Sequence, residues 1–90
     1  MKKYLIEREI PGVHQLNGEE LKGAAATSNA ALAQLGPKVQ WIESFVTKDK
    51  TFCIYLAEDE EVVREHARLS GFPANRITEV AGMIDPTTAG

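Results

Sequence analysis

The stretch Trp41-Ile42-Glu43-Ser44-Phe45-Val46, then Thr47-Lys48-Asp49-Lys50, then Phe52-Cys53-Ile54-Tyr55-Leu56, decides the fold. Two alternating runs flank a four-residue turn, which is the pattern of a β-hairpin. A turn of that length sets Ser44 opposite Cys53 and Glu43 opposite Ile54. In this register Trp41, Glu43, Phe45, Phe52, Ile54 and Leu56 are expected to share the face that meets the helices. A one-residue slip would reverse that partition and group Glu43 with Cys53 and Tyr55 on the other face.

Downstream, Asp59 is placed to cap a helix, with Glu60 and Glu61 in the first turn, where the helix dipole favours acids. Val62, His66 and Leu69 form its apolar stripe, flanked by Val63 and Ala67, and Gly71-Phe72-Pro73 ends it. Arg76 to Ala81 reads as a strand. Upstream, Tyr4 to Ile10 is a strand closed by Pro11-Gly12; Tyr4, Ile6, Arg8 and Ile10 lie on one face, Leu5, Glu7 and Glu9 on the other. Asn17 caps a first helix in which Leu21, Ala25, Ser28, Leu32 and Leu35 recur at helical spacing, with Gly36-Pro37 as its stop.

The order strand, helix, strand, strand, helix, strand is two strand–helix–strand halves joined by a hairpin. It predicts an α+β fold, a ferredoxin-like βαββαβ sandwich with a four-stranded antiparallel sheet and both helices on one face. Residues 1–84 form a single domain in this reading, and 85–90 a C-terminal tail. The other sheet face is left bare, with Leu5, Ile42, Val46 and Tyr55 as candidates to line it, so a homodimer packed sheet to sheet is expected.

Ninety residues hold one core, and 43% hydrophobic with 26% charged residues is a globular balance. The net charge of −3 and the scattered lysines argue against nucleic acid. No apolar run approaches the ~20 residues of a membrane span. Glu7 interrupts any signal-peptide core, and the single Cys53 rules out an intrachain disulfide, so a cytoplasmic location is expected.

Few residues carry chemistry. His66, on a buried stripe, reads as a metal ligand, as a general base, or as a core histidine bonded to one carboxylate or carbonyl, with Glu43 as a partner that suits each. Glu7, mid-strand, is a ligand or base-orienting carboxylate, or else the acid of an ion pair with Arg76 or Arg8. Cys53 and the loop residue His14 form a second tier of metal donors; a buried free cysteine otherwise behaves as a small apolar side chain. Trp41 and Tyr55 are candidate pocket walls. Two histidines and one cysteine are too few for a closed structural zinc site within one chain.

Several phrases resemble a known family: Tyr4-Leu5-Ile6-Glu7-Arg8 with Pro11-Gly12, the central hairpin, Arg64-Glu65-His66-Ala67, Gly71-Phe72-Pro73-Ala74 and Ile84-Asp85-Pro86-Thr87. It is a bacterial family of small domains of unknown function that includes an actinobacterial nickel-binding protein. The resemblance spans nearly the whole chain. It implies a ferredoxin-like protomer, a homodimer of the dimeric α+β barrel type, and binding of nickel or another divalent transition metal. Relatives often carry histidine where this chain has Glu43, and a carboxylate there has less preference for nickel than imidazole has.

Three functions follow. The first is a cytoplasmic metal-binding homodimer taking nickel or a similar ion through His66, Glu43 and Glu7. The second is a cofactor-free enzyme acting on a small molecule, with His66 as acid/base and Trp41 and Tyr55 shaping an apolar slot, by analogy of fold alone. The third is a structural or interaction module whose polar core residues fix register.

Overall fold

Local capping sets the helices where the sequence predicts them. The computed structural model describes all of residues 1–90. Asn17 accepts a hydrogen bond from the Glu20 amide at 2.9 Å while the Glu20 carboxylate accepts one from the Asn17 amide at 3.1 Å. This reciprocal cap starts helix α1, Gly18–Leu35. Asp59 accepts from the Val62 amide at 3.0 Å and starts helix α2, Glu60–Ser70. Gly71, at φ 79°, ends α2 in the left-handed conformation that glycine adopts without penalty.

Strands β1 (Lys2–Glu9), β2 (Val39–Val46), β3 (Lys50–Ala57) and β4 (Arg76–Val80) form one sheet in the order β2-β3-β1-β4, every pair antiparallel. This is the expected α+β, ferredoxin-like sandwich. Short 3-10 turns occur at Val13–Gln15, Gly36–Lys38 and Pro86–Ala89; in the last, Asp85 accepts from the Thr87 amide and orders the segment expected to be a plain tail.

The hairpin takes the register of the four-residue turn: Ser44 pairs with Cys53 and Glu43 with Ile54. The assignment of faces is corrected. Thr51, Cys53, Tyr55 and Ala57 are buried under the helices, alongside Tyr4, Ile6 and Arg8, whereas Phe52, Ile54 and Leu56 lie on the opposite, open face and are only half buried. Strand alternation fixes which residues share a face but not which face the helices cover. Here that choice follows Tyr4, Ile6 and Arg8 of the central strand β1, the most enclosed row in the sheet.

A β-bulge at Ile42 supplies the second correction. Trp41 pairs with Tyr55, then Glu43 with Ile54, so the extra residue between them turns Trp41 toward the helices and Glu43 away. The expected common face of Trp41 and Glu43 does not form. The core is Tyr4, Ile6, Val39, Cys53, Tyr55, Ala57 and Val63, with Leu32, Leu35, Trp41 and Ile77 packed at its edges. Tyr55 and Val46, expected on the bare face, belong to the helix side. The open face carries Leu5, Phe45, Phe52, Ile54 and Leu56, and Phe45 is 54% exposed.

Candidate functional site

A cavity of about 400 Å³ lies between α1 and the sheet. It exists because α1 turns Ala24, Ala25 and Ser28 toward the strands, side chains too short to fill the layer. Trp41, Ser44, Cys53 and Tyr55 line it from β2 and β3, and Phe72 and Pro73 close one side. Trp41 is oriented by a hydrogen bond from its indole Nε1–H to Ser44 Oγ at 2.9 Å.

Arg8 borders the same cavity and is 2% exposed. Nη1 donates to the Pro73 carbonyl at 2.8 Å, and the guanidinium lies 5.9 Å from the Tyr55 ring centroid and 5.8 Å from that of Phe72. These contacts soften its desolvation. No carboxylate pairs with it, and Nη2 has no hydrogen-bond partner. A buried guanidinium without a counter-ion is costly, so this arrangement stands out.

His66 sits behind the cavity wall. It is 1% exposed, its Nε2 is 3.1 Å from Ser28 Oγ, and its ring packs on Tyr55 with centroids 5.0 Å apart. Nδ1 has no partner. An orphaned acceptor is less costly than an orphaned N–H, which assigns the proton to Nε2, donating to Ser28. Burial, and then the Arg8 charge, hold the imidazole below its ordinary value, with hydrogen bonding to Ser28 opposing. Burial likewise pushes the Tyr55 phenol up, against the pull of Ser28 and Arg8.

The expected donor set of His66, Glu43 and Glu7 does not converge within one chain. His66 points from α2 toward the sheet, while the two carboxylates lie on the open face, Glu43 opposite Ile54 and Glu7 opposite Phe52. Glu7 faces Lys50 at 3.7 Å and Arg76 at 4.0 Å. Glu43 is exposed on an edge strand and is not the partner of His66, a role that falls to Ser28. Cys53 is buried, with Sγ 3.7 Å from Thr51 Oγ1. His14 is exposed, and its Nδ1 lies 2.9 Å from the Lys48 carbonyl. That carbonyl can only accept, so Nδ1 donates to it and Nε2 is left as the ring nitrogen able to bind a metal. No three His, Cys, Asp or Glu side chains gather where one ion could be held, so the donors of a single chain do not fit a nickel ion.

Sequence reasoning missed Arg8 and Ser28 as site residues. The signal for Arg8 was present, since it shares its face with Tyr4 and Ile6. No helix is long and apolar enough to cross a membrane.

The family described as nickel responsive protein SCO4226-like matches over residues 4–80, and the chain belongs to that family. The crystal structure of SCO4226 from Streptomyces coelicolor A3(2) superposes with a TM-score of 0.75 at 17% identity, covering 91% of this chain and 99% of that one. At that identity the likeness speaks for the fold. No curated protein matches the chain.

Proposed function

We propose that this member of the nickel-responsive family is a cytoplasmic homodimer that binds nickel or a similar divalent ion with donors supplied by more than one protomer. Family membership carries the reading. Donor geometry supports the shared site, because one chain presents no cluster while its outward-facing His14 and Glu43 are accessible, with Glu7 on the same open face as Glu43. The apolar open face supports the dimer, since a domain of this size buries a limited share of its surface alone. The free, buried Cys53 is in keeping with a reducing compartment.

Nickel titration calorimetry on the tag-free protein, with sedimentation to fix the assembly, tests this. The expected result is a dimer that takes up nickel, with affinity lowered about tenfold or more, roughly 1.4 kcal/mol, in His14→Ala. The reading fails if the wild-type protein binds no divalent transition metal, or if His14→Ala and Glu43→Ala together leave the affinity unchanged.

A second reading, a small enzyme using His66 as acid/base, is favoured by one observation: the cavity reaches Ser28, whose hydroxyl is bonded to His66. In that reading Ser28 would pass a proton between His66 and a bound molecule.

A further inference from the structure

We propose that the cavity under α1 binds a small amphipathic monocarboxylate, its apolar body between α1 and the sheet and its carboxylate against Arg8. The cavity volume of about 400 Å³ falls within the range of small-molecule sites. Its lining is 11 hydrophobic residues of 16, so the body of the ligand is apolar. Its one buried cation is Arg8, which lines the cavity together with the three residues its guanidinium touches, Tyr55, Phe72 and Pro73.

The charge count selects the headgroup. Arg8 carries a full positive charge at 2% exposure, with Nη2 unpartnered and no acid of this chain paired to it. A carboxylate supplies the single negative charge that one guanidinium balances, through a charge-assisted hydrogen bond. An inorganic phosphate would bring more charge than one arginine offsets, and no lysine lines the cavity to take the remainder. A neutral alcohol would leave the guanidinium uncompensated. Ser28 and the Tyr55 phenol line the cavity as further donors to the carboxylate. This site is distinct from the outward-facing donors of the metal reading, so the two stand or fall separately.

The test is calorimetric and NMR titration of the full-length protein with octanoate and with 1-naphthoate, beside 1-octanol and inorganic phosphate. At least one acid is expected to bind saturably, one per chain. Octanol should bind about tenfold to hundredfold more weakly than octanoate, the scale of a charge-assisted pair, and phosphate should not compete. Arg8→Met should abolish the preference for acid over alcohol. Should Arg8→Met fail to fold, Ala25→Phe fills the cavity without touching the guanidinium and should remove acid binding. The proposal is overturned if neither acid binds at millimolar concentration, if octanol or phosphate binds as well as the acids, or if either variant binds acid like the wild type.

Discussion

Ser28→Ala isolates the single polar contact that holds His66. Ser28 Oγ is the only hydrogen-bond partner of an imidazole that is 1% exposed, and Nδ1 already lacks one. Removing the hydroxyl leaves both ring nitrogens buried and unsatisfied, which costs about 1–3 kcal/mol. The loss should lower the melting temperature by roughly 4–8 °C per kcal/mol for a chain of this length. Replacing the ring instead, in His66→Leu, removes the demand for a partner, and the Ser28 hydroxyl can turn to a carbonyl in its own helix. Ser28→Ala should then be nearly neutral in the His66→Leu background, giving a coupling of about 0.5–3 kcal/mol in the double-mutant cycle. Urea unfolding of the four proteins, above the pH range where imidazole titrates, measures it. An equal loss from Ser28→Ala in both backgrounds would refute the argument that this bond is what keeps His66 in the core.

Acidification should expose the same histidine. Its folded value is depressed, so the unfolded state takes up the proton first and stability falls as pH drops from about 6.5 toward the lower folded value, with a slope of at most ~1.4 kcal/mol per pH unit; His66→Leu should lack this slope, and superimposable pH profiles would rule it out. Ile54→Lys puts a charge at the centre of the open sheet face and should convert the proposed dimer to monomer without unfolding it, as read by sedimentation and circular dichroism. Glu43→His exchanges a hard oxygen for imidazole on the exposed edge strand and should tighten nickel binding by about tenfold, ~1.4 kcal/mol; unchanged affinity would remove Glu43 from the metal site.

Element order, both helix caps and the hairpin register were legible because each depends on local chemistry: Asn17 and Asp59 at the helix starts, Gly71 at a helix end, and the turn Thr47 to Lys50. The buried face of the hairpin was not legible. Phe52, Ile54 and Leu56 are more apolar as a set than Thr51, Cys53 and Tyr55, yet the latter are covered, because pairing with Arg8, Ile6 and Tyr4 of β1 ties them to the helix side. The bulge at Ile42 has no turn residue or glycine to announce it, and it alone separates Trp41 from Glu43. Of the candidate site residues, Trp41 and Tyr55 come together on the cavity, whereas Glu43 and Glu7 pair with Ile54 and Phe52 on the face the helices leave open and so lie across the sheet from His66. Arg8 is masked in the sequence by its neighbour Glu7, which offers an ion pair that the alternation of β1 turns to the other face.

Arg8 and His66 share one layer, and this couples the two parts of the site. His66 is held neutral first by burial and then by the positive field of Arg8. A carboxylate bound against Arg8 would cancel the second of these and leave the first. The His66 value should therefore rise when the cavity is filled, while staying below that of an exposed imidazole. By linkage, the acid should bind more tightly as pH falls through the titration of His66. An NMR titration of the His66 ring protons, with and without saturating octanoate, measures the shift directly. If octanoate saturates the protein and the His66 titration does not move, the carboxylate lies away from Arg8, and the charge argument fails even though a ligand is bound.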